Sequence, residues 1–157
     1  MFALTPVAGA AEPELLGTFD DWQAYTYKAP DTRVCYAVSS PKSSEAGKKV
    51  KRDPIYFLVT HMPGRKVRGE ISTFIGYPFK ESSIVTVKVD DKSFELFTTG
   101  DGAWVDNAAR EKEILAAMKA GTKLVVTGTS WKGTETTDTY SLAGISAAVD
   151  KIDSACK

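Results

Sequence analysis

The chain closes on an apolar stripe that ends in a cysteine: Leu142, Ile145, Val149, Ile152 and Cys156 recur every three or four residues. That spacing places all five on one side of a helix, and a helix with one apolar face must lie against something. Chain ends fray unless they are tied down, so a cysteine on the buried side of the penultimate position calls for a partner. The other cysteine is Cys35. It lies in residues 33–38, where alternation puts bulky Val34, Tyr36 and Val38 on one strand face and small Cys35 and Ala37 on the other. The small face leaves room for a helix to approach. A Cys35–Cys156 disulfide satisfies both requirements if the two Cα atoms come within about 7 Å. Two buried free thiols, packed as small hydrophobes, are the alternative. The disulfide would close a loop covering most of the chain, worth up to about 5 kcal/mol in the chain-entropy model. It also implies an oxidising compartment.

Past residue 17 the dominant pattern is short alternating runs separated by turns, which predicts strands. Strands are expected at residues 22–27, 34–38, 55–60, 71–75, 83–89, 94–98, 104–105, 123–129 and 136–140. Turn signals divide them: Ala29-Pro30-Asp31, Pro63-Gly64, Asp90-Asp91, Gly100-Asp101-Gly102 and Trp131-Lys132-Gly133. Residues 55–60 are apolar throughout, which predicts a strand buried on both faces. The polar run 39–53 reads as a long loop. Asp106 or Asn107 caps a helix carrying Ile114, Leu115 and Met118 on one side, and Gly121 stops it. The expected fold is therefore mainly β, an antiparallel sandwich of eight or nine strands with one inserted helix and one C-terminal helix.

Charge excludes some partners. Lysine and arginine total 20, aspartate and glutamate total 20, and the net charge is zero. Nothing in this balance draws the protein to nucleic acid or to an anionic membrane. No run approaches the roughly 18 apolar residues of a membrane span. Residues 1–11 are small and apolar, and Ala8-Gly9-Ala10 fits a signal-peptidase site ahead of Glu12-Pro13. They read as the tail of a signal peptide, with residues 12–157 as a single mature domain delivered to the periplasm or beyond.

Few residues offer chemistry. His61 is the one histidine, at the end of a strand, where a structural role is the ordinary expectation. A thiol catalyst made with Cys35 would need the cysteine that the disulfide uses. Cysteine–histidine metal sites require more ligands at closer spacing, and no phosphate-binding glycine loop or nucleophile elbow is present, so no metal, cofactor or catalytic residue is expected. Asp20, Asp21 and Asp101, near Trp22 and Trp104, would suit a glycosidase or sugar-binding module if they converged. Basic residues cluster twice, as Lys48, Lys49, Lys51, Arg52 and as Arg65, Lys66, Arg68. Together these two loops would make an anion- or partner-binding face, for polysaccharide, lipid headgroups or protein.

The ordered set Phe19-Asp20-Asp21-Trp22, Arg33-Val34-Cys35-Tyr36, Lys51-Arg52-Asp53-Pro54, Gly76-Tyr77-Pro78-Phe79, Gly100-Asp101-Gly102-Ala103-Trp104, Thr137-Asp138-Thr139-Tyr140-Ser141-Leu142 and Ala155-Cys156-Lys157 resembles the invasion-associated locus B (IalB) family of exported alphaproteobacterial proteins. Asp20 stands where the family's opening motif has glycine. The resemblance implies an immunoglobulin-like sandwich, export by the general secretory route and no known catalytic activity. It points to an envelope-associated or secreted protein that binds a protein or polysaccharide partner, with host interaction among the family's associations. The alternative is an enzyme or sugar-binding module acting on cell-envelope glycans.

Overall fold

The computed structural model describes residues 12–46 and 52–157. The proposed signal remnant and Lys48, Lys49 and Lys51 lie outside the described residues. Eleven strands form one hydrogen-bonded antiparallel series. They are β1 (Glu14–Phe19), β2 (Trp22–Lys28), β3 (Arg33–Ser39), β4 (Ser43–Ala46), β5 (Tyr56–Met62), β6 (Val67–Phe74), β7 (Ile84–Val89), β8 (Lys92–Thr99), β9 (Gly102–Trp104), β10 (Lys123–Thr129) and β11 (Glu135–Ser141). Two helices join them, α1 (Ala108–Ala120) and α2 (Ile145–Ala155). The spatial order is β1-β2-β3-β5-β6-β9-β8-β7-β10-β11-β4. The mainly antiparallel expectation holds, with more strands than alternation predicts.

Both additional strands are at the edges. Every residue of β4 is exposed, and β4 is defined by backbone pairing with β11, Thr136 opposite Ala46 through Thr139 opposite Ser43. An edge strand with neither face buried carries no hydrophobic alternation, so the polar run around it reads as loop. β1, at the opposite edge, pairs with β2 through a register shift between Leu15 and Gly17.

The sheet curls on itself. β2 and β11 are eight inter-strand steps apart in the hydrogen-bonded order, roughly 38 Å in a flat sheet. Yet the Trp22 indole N–H donates to the Ser141 carbonyl at 2.9 Å. Asp21 N–H likewise donates to the Ala143 carbonyl at 3.1 Å. Inside the curl, Phe57 of β5 meets Trp22 edge-on at 6.4 Å and Tyr140 of β11 at 5.8 Å. These rings join Ile71, Leu96, Ile114, Leu124 and Ile152 in one buried cluster drawn from both helices.

Both helices follow their sequence signals. The Asn107 side chain accepts from Arg110 N–H at 2.7 Å, capping α1, which buries Ile114, Ala117 and Met118. α2 buries Ile145, Ala148, Val149 and Ile152. Gly144 starts it with φ of 93°, and a Cβ there would lie 1.7 Å from the Phe19 carbonyl oxygen, so only glycine fits.

One expectation is corrected. β5 is not buried on both faces: Phe57, Val59 and His61 point into the core, whereas Tyr56 is 39% exposed and Leu58 half-buried. The core covers the inner face of this sheet, and among the described residues no helix covers the outer face of β2, β3 and β5. An apolar run looks the same in either case.

Candidate functional site

The closing helix is bolted to the sheet. Cys35 and Cys156 are bonded with their Cα atoms 6.0 Å apart, across 121 residues of sequence. His61 is the register partner of Cys35 on β5 and is buried. Gly69 N–H donates to its Nδ1 at 2.9 Å, so the ring proton resides on Nε2, which donates to Asp153 of α2 at 2.6 Å. Arg68 donates to the Cys156 carbonyl at 2.7 Å. The disulfide uses both thiols, and both ring nitrogens of His61 are held by hydrogen bonds that tie β5, β6 and α2 together.

The described basic residues do not form one face. Arg52 turns inward: Nη1 and Nη2 donate to Asp138 Oδ1 and Oδ2, each at 2.8 Å, and Nε donates to the Ile75 carbonyl at 3.0 Å. Its guanidinium lies 5.2 Å from the centre of the Tyr77 ring. Arg65, Lys66 and Arg68 sit at the other end of the β5–β6 hairpin, where Met62 pairs with Val67; Tyr56 pairs with Phe74 near Arg52. Arg65 is held in a two-pronged contact with Asp31 at 2.8 and 2.9 Å. The two ends stand roughly 20 Å apart along the strands.

The acids are also separated. Asp20 and Asp21 turn β1 into β2, whereas Asp101 turns β8 into β9, which carries Trp104. At least four inter-strand steps lie between them, roughly 19 Å measured along the sheet, and the groove that Asp20 and Asp21 line does not include Asp101. The carboxyl pairs of glycoside hydrolases stand about 5 to 9.5 Å apart. Asp90 accepts from the backbone of Thr122 and Lys123, each at 3.1 Å, which is turn chemistry. Among the described residues no group of three or more His, Cys, Asp or Glu is placed to hold a metal.

What the fold does build is a groove on the uncovered outer face of β2, β3 and β5, with a volume of about 890 Å³. Alternation puts Gln23, Tyr25 and Tyr27 on that face of β2, opposite Trp22, Ala24 and Thr26. The cross-strand partner of Tyr25 is Tyr36, and their rings stack at 5.4 Å with planes 19° apart. Tyr27 meets Tyr36 edge-on at 6.3 Å. Tyr56 closes the far side. Burial, with the neighbouring Tyr25, Tyr27 and Tyr56, pushes the Tyr36 phenol up, so it stays a neutral hydroxyl. The near rim holds Asp20, Asp21, Ser40 and Lys42. Lys42 forms an ion pair with Asp21 that holds this carboxyl below its ordinary range. A general acid needs the opposite shift. The tyrosines escaped the sequence reading because an outward aromatic on a strand has no motif. The alternation of β2 and β3, read for its outer face, was the available signal.

The family model of the invasion associated locus B (IalB) protein matches residues 22–153. The chain belongs to the IalB family. No curated protein and no solved structure matches it. The stretches that carry the family resemblance meet in space as fold-holding contacts. Arg52, Tyr77 and Asp138 come from three of them and share one buried ion pair. Trp22 and Ser141 come from two and close the curled sheet. Cys35 and Cys156 come from two more. Among the groove residues, Tyr25, Lys42 and Tyr56 lie in none of these stretches.

Proposed function

We propose that this IalB-family chain is an exported, non-catalytic protein that works in the periplasm or outside the cell by holding an envelope or surface ligand in the Tyr25–Tyr36–Tyr56 groove. The groove carries the reading: it is open, aromatic and polar-rimmed, on a sheet face that no helix of the described residues covers. A disulfide between the strand near the chain start and the closing helix supports an oxidising compartment. Among the described residues no helix is long and apolar enough to cross a membrane. In this reading the curled sheet is a variant of the immunoglobulin-like sandwich that the family resemblance implies. Host contact is one setting for such a protein, and the same groove would serve a surface of the cell itself.

The test is co-sedimentation of the oxidised chain, residues 12–157, with envelope fragments of a bacterium with two membranes. Wild type should pellet with the fragments, and a Tyr25→Ala, Tyr56→Ala variant with an unchanged melting transition should not. Equal retention of both would reject the groove as the binding face.

A further inference from the structure

We infer that the groove takes an uncharged pyranose chain, a neutral oligosaccharide of the glucan or N-acetylated type. The inference rests on the groove being the binding face and names its ligand. A pyranose ring has a C–H face that is apolar and a hydroxyl edge that both donates and accepts. The stacked Tyr25 and Tyr36 rings, with Tyr56 across the groove, supply the aromatic surface for the first. The rim suits the second. Asp20 and Asp21 are acceptors, and the Tyr25 hydroxyl, having donated to Gln23 at 3.1 Å, presents its oxygen as another.

Charge and donor count decide among the ligand classes. Among the described residues the rim carries one cation, Lys42, paired with Asp21, against the carboxylates of Asp20 and Asp21, a balance that disfavours an anionic polymer. A polyproline segment also docks on aromatic grooves, but proline lacks an N–H, and the Asp20 and Asp21 carboxylates at the rim need donors. Sugar hydroxyls are such donors. From Thr18 on β1 to Tyr56 on β5 the lining crosses three inter-strand spacings, roughly 14 Å, the reach of several sugar rings rather than one.

The experiment titrates the ¹⁵N-labelled oxidised protein with cellotetraose, maltotetraose and chitotetraose, and in parallel with polygalacturonate and a basic proline-rich peptide. At least one neutral tetrasaccharide should shift the amide signals of Gln23, Tyr25, Tyr36 and Ser40. Tyr25→Ala should weaken that binding about tenfold. Asp20→Asn, which keeps a residue tolerant of the left-handed backbone at φ 53°, should weaken it several-fold without unfolding the turn. No shift from any neutral tetrasaccharide at roughly 10 mM, beyond the millimolar range of weak recognition, overturns the inference. So do groove shifts produced by the peptide or by polygalacturonate alone.

Treating the envelope fragments separates this inference from the broader reading. Groove-dependent retention abolished by periodate cleavage of vicinal diols supports a glycan. Retention that survives periodate but is lost to protease discards the glycan and keeps the groove. Tetrasaccharide binding without envelope retention keeps the ligand class and removes the envelope as its source.

Discussion

Arg52 and Asp138 form a two-pronged ion pair beneath the protein surface, with side chains 9% and 1% exposed and both N–O distances at 2.8 Å. It ties the segment entering β5 to β11, 86 residues away in sequence. A charge left there without its opposite charge is strongly destabilising, because the Ile75 carbonyl and the Tyr77 ring that remain beside Arg52 carry no full negative charge. Asp138→Ala should therefore lower unfolding stability by about 3 to 5 kcal/mol in urea titration. The apolar pair Arg52→Met, Asp138→Leu should lose less than Asp138→Ala alone. A double variant as damaged as the sum of its singles would mean that the two residues act separately.

Cys35→Ser and Cys156→Ser should be equally destabilised, and the double variant should be no worse than either, since all three lack the same bond. The chain-entropy model puts the loss at up to about 5 kcal/mol for a loop of this length. Thiol titration of the oxidised wild type under denaturing conditions should read zero. Two titratable thiols would remove the main argument for an oxidising compartment.

Gly144→Ala should damage the fold far more than Gly133→Ala, though both glycines have positive φ, 93° and 85°. At Gly133 nothing lies within 4 Å of an added Cβ, so only the left-handed strain remains, about 1 to 2 kcal/mol. At Gly144 the added Cβ would sit inside the Phe19 carbonyl, so either the β1–β2 turn or the start of α2 must move. Thermal melts of the two variants compare them directly. Equal shifts would show that the close approach carries no strain.

Glu111 gives a pH dependence of stated sign. Burial raises its carboxyl above the ordinary value of 4.5, opposed by the bond from Ile71 N–H and reinforced by nearby Glu70. A raised carboxyl binds more protons folded than unfolded, so its contribution is greatest below the unfolded pKa and declines as pH rises through the folded one. Glu111→Gln keeps the acceptor for Ile71 and removes the charge. Its stability should fall less than that of wild type between about pH 4.5 and 7. An unchanged slope would show that Glu111 does not contribute to it.

Much of the fold was legible because its signals are local. Trp22, Ala24 and Thr26 against Gln23, Tyr25 and Tyr27 is a period of two, contained in six residues. The α2 stripe and the Asn107 cap are equally short-range, and the disulfide followed by matching one small strand face to one helix face. β4 was hidden because its strand character belongs to its partner, β11, rather than to its own side chains. The place of Arg52 was hidden for a related reason. Arg52 looks like its basic neighbours until the fold supplies Asp138 from a distant strand.

The sequence by itself determined which face of each element is apolar, because side-chain direction repeats every two residues in a strand and every three to four in a helix. It thereby determined the mainly antiparallel class, the two helices and the cysteine pairing. Only the tertiary structure decided what those faces meet. Strand order, the curl that brings Trp22 to Ser141, the inward turn of Arg52 and the uncovered outer face of Tyr25, Tyr36 and Tyr56 all depend on which elements become neighbours. That choice is made by burying the whole chain at once, and no stretch of a few residues contains it.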